Sequence, residues 1–241
     1  MTQILALDTS TDACSVALNV DGRVIGRFEL AARSHTQRLL PMVDELLQEC
    51  DSRLEDLTAI AFGRGPGSFT GLRIGLGVVQ GLAFARRLPV IPVSTLAALA
   101  VGYWRRNPDA IARPVLSALD ARMDEVYWGL YAHRPTQPSP DELLDEQVAA
   151  PSMVVERVRV WAGKEPSVGT LLDGVGPGWH YPSLQTLRPN RLEQEAYPDA
   201  QDIAHMALEI YQQGGAISVS EAQPVYLRDT VSWKKRTRIR T

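Results

Sequence analysis

Two stretches of this 241-residue chain share one plan, and that repetition limits what the chain can fold into. Residues 4–18 run Ile-Leu-Ala-Leu, then Asp8-Thr9-Ser10-Thr11, then a second apolar run from Cys14. Residues 114–131 run Pro-Val-Leu-Ser-Ala-Leu, then Asp120-Ala121-Arg122-Met123-Asp124-Glu125, then Val126 to Tyr131. Each is an apolar strand ending in an aspartate, a polar turn and a returning strand. Short apolar runs bounded by turn residues are the pattern of buried strands. A repeated supersecondary unit predicts a duplicated architecture.

The intervening segments read as alternating helices and strands. Asp21-Gly22 is a hairpin signal that makes Arg23–Leu30 a third strand. Leu39, Leu40, Val43, Leu46, Leu47 and Cys50 recur at helical spacing, with Ser34 as the predicted N-cap and Pro41 inside the pattern. Strands are predicted at 57–62 and 88–93, and a helix capped by Ser94 over 96–104. Asn107-Pro108-Asp109 marks a boundary between a first lobe, 1–107, and a second, 108–227. In the second, 135–140 is a surface loop and 152–160 is helical or mixed. Residues 167–172 are a strand entering the glycine turn at 173–178. Residues 200–213 form an amphipathic helix, with Ile203, Met206, Ala207 and Ile210 inward, that packs back on the first lobe. Residues 224–227 are a last extended piece, and 228–241 is a basic tail. The expected fold class is α/β, two lobes with a cleft between them.

Charge and cysteine content narrow the function classes. The 25 Lys and Arg against 28 Asp and Glu give a formal charge of −3. No global positive field therefore advertises nucleic-acid binding. Two cysteines, Cys14 and Cys50, make no disulfide framework and fit a reducing cytosol. No basic-then-apolar leader and no apolar run of membrane-spanning length is present, so the expectation is a cytoplasmic chain with no membrane contact.

Residues 63–77 are the least ordinary stretch, with six glycines in fifteen positions. One reading is a Gly/Pro turn capped by Ser68 or Thr70. The other is a backbone cradle for an anion or a partner at a helix N-terminus. Glycines continue through the predicted helix, at 71, 75, 77 and 81. Each interior glycine costs about 1 kcal/mol relative to alanine, which predicts that something packs very close to this helix.

Asp8, Thr9 and Ser10 in one lobe, Asp120 in the other, and Gly174 and Gly176 on a later turn are the parts of a two-lobed phosphate clamp. In it, hairpins grip phosphates, a carboxylate holds Mg²⁺ through water, and the glycine turn accepts an adenosine. The alternative is that these carboxylates only stabilise hairpin turns in an inherited scaffold. Residues 63–70 lack the lysine of a P-loop, so this is no Walker-type NTPase. Ser68 has no histidine nearby in sequence to activate it. The four histidines, His35, His133, His180 and His205, offer no metal-binding pair on a helix face, so no metal is expected. The basic run Lys234, Lys235, Arg236, Arg238 and Arg240 is either a solvated end or a phosphate contact.

Several segments together resemble the TsaB (YeaZ) family: 4–18, 34–41, the loop at 63–75, 120–128 and 224–228. The resemblance spans nearly the whole chain. It implies the actin/Hsp70/sugar-kinase fold and a role in making N6-threonylcarbamoyladenosine at position 37 of tRNAs reading codons that begin with A. The family implies a non-catalytic subunit that pairs with the transferase TsaD, is joined by the ATPase TsaE and meets tRNA through the complex. It implies no cofactor required by this chain, leaves ATP or ADP to the complex, and allows self-dimerisation when TsaD is missing. The catalytic paralogue holds its metal with His-x-x-x-His, whereas here His35 is followed by Leu39. The family's interface is built from two first-lobe helices, here 35–50 and 69–86, and the residues assigned to it are Leu39, Val43, Leu46, Gly71, Arg73, Ile74, Gly75 and Val78. An independent ATPase or sugar kinase of the same fold is the alternative. A glycoprotease, an older label for such relatives, lacks its constellation here.

Overall fold

The computed structural model describes residues 1–164 and 171–228. In the first half, β1 (Gln3–Asp8), β2 (Ala13–Val20) and β3 (Arg23–Leu30) form an antiparallel meander. Next come α1 (His35–Glu49), β4 (Ala59–Gly65), α2 (Phe69–Arg86), β5 (Val90–Ser94) and α3 (Thr95–Arg106). The second half runs β6 (Val115–Arg122), β7 (Glu125–Ala132), β8 (Asp141–Ala149), α4 (Pro151–Lys164), β9 (Asp173–Val175), α5 (Pro182–Gln185), β10 (Leu192–Glu193) and α6 (Ala200–Gln212).

The duplication is explicit in the topology. One sheet has the order β3-β2-β1-β4-β5 and the other β8-β7-β6-β9-β10. In each, the meander is antiparallel and the two later strands add in parallel beside its first strand. This is the two-lobed actin/Hsp70/sugar-kinase plan.

Strand alternation sorts the core. Ile4 and Ala6 of β1, with Ala59 and Ala61 of β4, face one side and pack with α3 and α6. Leu5 and Leu7, with Ile60 and Phe62, face the other and pack with α1 and α2. The alanine-rich side lets helices approach closely. α3 belongs to both lobes: its residues 96–100 and Tyr103 share one buried cluster with β1, β4 and β5 and with Val115, Leu119, Tyr131 and Val175 of the second sheet. α6 lies on the first sheet, where Ser15 Oγ accepts from Ala200 N at 2.9 Å and Asn19 donates to the Ala204 carbonyl at 2.9 Å. A third cluster around Trp128, Trp179 and Leu184 holds α4 and α5 on the outer face of the second sheet.

Several local expectations shift. β4 and β5 begin two residues later than the apolar runs, because Leu57 and Leu88 belong to the incoming turns. Ser34 makes no cap; its hydroxyl donates to the Ala31 carbonyl instead. Ser68 and Ser94 do cap, accepting from Gly71 N and Ala97 N. Pro41 is accommodated inside α1. The segment at 152–160 is part of a longer helix. The strand expected at 167–172 falls mostly outside the described residues, and β9 begins at Asp173. β8 has no counterpart in the sequence reading. Its Glu146 reaches across the lobes, accepting from Tyr131 OH at 3.0 Å and from Ser94 Oγ, and pairing with Arg64 at 3.4 Å. The extended piece at 224–227 joins neither sheet.

Candidate functional site

The residues of the expected phosphate clamp are present at the strand ends, and their polar groups turn onto the chain itself. Asp8 is buried; its Oδ1 accepts from Ser10 N at 3.0 Å and Ser10 Oγ at 2.8 Å, while its Oδ2 lies against Gly63 and has no hydrogen-bond partner among the described residues. Burial, reinforced by the nearby Asp199, pushes the carboxyl up to about 7. Thr9 Oγ1 donates to the Gly71 carbonyl at 2.7 Å, and Ser68 N donates to the Ser10 carbonyl at 2.7 Å. The amide that would face a phosphate at the start of α2 is therefore satisfied by the first hairpin.

The second half of the clamp is similarly filled. Asp120 accepts from Arg122 N at 2.9 Å and from Tyr181 OH at 3.3 Å, and pairs with the Arg122 guanidinium at 3.1 Å. A Cβ at Gly174 would lie 2.6 Å from the Trp179 indole, so the surface expected to accept an adenosine is covered by Trp179. Gly176, at φ +102°, sits against the Ala118 carbonyl and Leu99. Three surface cavities of about 760, 800 and 550 Å³ are lined by other residues, with none of Asp8, Thr9, Ser10, Asp120, Gly174 or Gly176 among them. Among the described residues no three His, Cys, Asp or Glu side chains group to hold a metal ion.

The glycines of α2 divide into two faces. A Cβ on Gly71 would collide with the Thr9 carbonyl oxygen, and one on Gly75 would lie 2.6 Å from Thr9 Oγ1. These two glycines admit the chain's own hairpin. Gly77 and Gly81 are exposed, and a Cβ on either would meet nothing within 4 Å among the described residues.

The eight residues expected at the interface lie at different depths. Leu39, Val43 and Leu46 are buried in the chain's own core, as are Gly71 and Gly75 against the hairpin, so none presents a surface. Ile74 and Val78 are half-buried at the edge of the same cluster. Arg73 is exposed, and its guanidinium lies 4.0 Å above the Phe69 ring. The side of α1 and α2 turned to solvent instead carries Leu40, Gly77, Gly81 and Phe84, which is 79% exposed. The signal that separates the two faces is the glycine register, which shifts by half a turn past residue 75.

A family model described as "TsaD: tRNA N6-adenosine threonylcarbamoyltransferase" matches residues 28–158. The tRNA threonylcarbamoyladenosine biosynthesis protein TsaB of Escherichia coli K12 is 45% identical over 97% of both chains. The chain belongs to the TsaB family. The Haemophilus influenzae TsaB is 40% identical over 96% of both chains. A solved structure of YeaZ from Pseudomonas aeruginosa superposes with a TM-score of 0.84 at 44% identity, covering 94% of this chain and all of that one. In this TsaB-family chain, the one histidine of α1 is a packing residue. His35 is buried with Nε2 3.1 Å from the Ala13 carbonyl, and Leu39, one turn on, faces the core.

Two outcomes are expected. Gly77→Ala and Gly81→Ala each stabilise the isolated chain by up to about 1 kcal/mol, whereas Gly71→Ala and Gly75→Ala destabilise it; denaturant midpoints separate the pairs. For Asp8, the folded chain keeps a proton to higher pH than the unfolded chain. That carboxyl therefore lowers stability progressively from the usual carboxylate range up to about pH 7, with no further loss above it. Asp8→Asn removes this dependence. Thermal midpoints across that range fall with pH more steeply in the wild type, by the equivalent of up to about 4 kcal/mol.

Proposed function

We propose that this chain is a non-catalytic accessory subunit that binds a TsaD-type transferase and supports transfer of the threonylcarbamoyl group to adenosine 37 of tRNAs reading codons that begin with A. The observation that carries the proposal is the outer face of α2. Gly77 and Gly81 lie inside a helix, where glycine is unfavourable, and no contact within the described chain calls for them. Small residues beside exposed Leu40 and Phe84 suit the close approach of another protein's helices. The names of the TsaB relatives and of the TsaD family model support TsaD as that protein.

The clamp residues support the non-catalytic part. Thr9, Ser10 and Ser68 are bonded within the chain, Asp8 is packed against Gly63, and Trp179 covers the second glycine turn. Asp8, raised to about 7 by burial, is a poor permanent anion for a cation site. The chain needs no cofactor of its own in this reading, and ATP or ADP, with TsaE, belongs to the assembled complex. tRNA meets the chain as part of that complex, in the cytoplasm.

Size-exclusion chromatography with TsaD tests the interface. The wild type co-elutes as a heterodimer, and Gly77→Arg or Gly81→Arg abolishes co-elution while leaving the thermal midpoint of the isolated chain close to wild type. Co-elution unaffected by both variants would place the interface elsewhere. Purified alone, the chain hydrolyses no ATP above a control. Robust turnover lost in Asp8→Ala would establish an independent ATPase instead.

A further inference from the structure

Residues 222–228 cross the surface as a strap that joins neither sheet and has only Ala222 buried. Gln80 of α2 donates to the Ala222 carbonyl at 3.4 Å, and Val225 N donates to the Arg64 carbonyl at 2.7 Å. At the far end Arg228 pairs with Glu125 and donates to the Arg122 carbonyl at 3.3 Å. The strap thus runs from α2, over the glycine loop, to the β6–β7 turn. It ties the first lobe to the second at the carboxyl ends of β4 and β6. Gly65 makes room for it. A Cβ there would lie 2.9 Å from the Val225 carbonyl oxygen, and its φ of +103° is one that glycine adopts at little cost.

Midway along the strap, Tyr226 meets the start of α2. Its ring centroid is 5.4 Å from that of Phe69, and its hydroxyl accepts from Arg73 Nε at 3.2 Å, while the Arg73 guanidinium lies over the Phe69 ring. Phe69, Arg73, Gly77 and Gly81 are all exposed and stand four residues apart, so they form one ridge along the helix. The ridge that carries the proposed partner face therefore begins at the two residues that Tyr226 holds. A long side chain that is loose before binding must be ordered on binding, at a loss of affinity; one already held avoids that loss.

The strap itself is held by little. A surface segment with one buried residue opens more readily than the core beneath it. Among the described residues, every hydrogen bond from the strap to the second lobe comes from Arg228. We propose that residues 222–228 are a clasp: Arg228 anchors them on the second lobe, and Tyr226 holds Phe69 and Arg73 in the form that a partner's helix meets on α2. The role toward a partner rests on the proposed accessory function, and the clasp itself does not.

Hydrogen exchange on the isolated full chain and calorimetric titration with TsaD test both halves. The wild type is compared with Arg228→Ala, Arg73→Ala and the double variant. In Arg228→Ala the Val225 amide is expected to exchange about tenfold faster, with the thermal midpoint close to wild type. The same variant is expected to bind TsaD about tenfold more weakly. The double variant is expected to bind no more weakly than Arg73→Ala alone, because Arg228 acts through the held arginine. Unchanged exchange at Val225 in Arg228→Ala would overturn the clasp. Faster exchange with wild-type affinity for TsaD would overturn its role at the partner face. Additive losses in the double variant would do the same, since Arg228 would then touch the partner directly. A wild-type chain that binds no TsaD would sink the accessory function and the partner role together, while the exchange rates still decide the clasp.

Discussion

The approach of the β1–β2 turn to the start of α2 governs much of this molecule. The Gly71 carbonyl accepts from Thr9, and the absence of side chains at positions 71 and 75 lets the helix lie directly on that turn. Contact this close fixes the rotation of α2 about its axis. At about 100° per residue, positions two apart point to nearly opposite sides. Holding Gly71 and Gly75 against the turn therefore turns Gly77 and Gly81 to solvent.

The same contact decides the chemistry of the first hairpin. Thr9 and Ser10 are the groups that a phosphate would use, and each is bonded to the segment just after β4. The second hairpin reaches a comparable state by other means, with Arg122 and Tyr181 on Asp120. Both sites keep the positions of a phosphate clamp and use its polar groups for internal cohesion. A motif of Asp-Thr-Ser at a strand end is compatible with either use, since the deciding partner lies some sixty residues away at Gly71.

The architecture is legible in the sequence because it repeats. The meander, the aspartates at strand ends and the capping serines 68 and 94 are local signals, and local signals determine element type. β8 escapes such a reading because Asp141–Ala149 is acidic and only partly buried, so its apolar alternation is weak. Five of the eight expected interface residues lie beneath the surface for a related reason. Helical periodicity finds the apolar face of α1, and in an isolated chain that face belongs to its own core, as Leu39 and Leu46 do. The surface proposed to receive a partner leaves a fainter trace, two glycines out of phase with the buried pair.

α3 also sets how the lobes can move. Two-lobed enzymes that act by closing over a substrate need a hinge between cores that remain separate. Here one helix is interior to both lobes, and Leu99 and Tyr103 are buried in a single cluster joining the two sheets. Swinging the lobes apart would strip that helix from one of its two sheets and wet aliphatic surface on both. The relative position of the two sheets is thereby held by burial of α3 against both, with no need of a ligand in the cleft to set it.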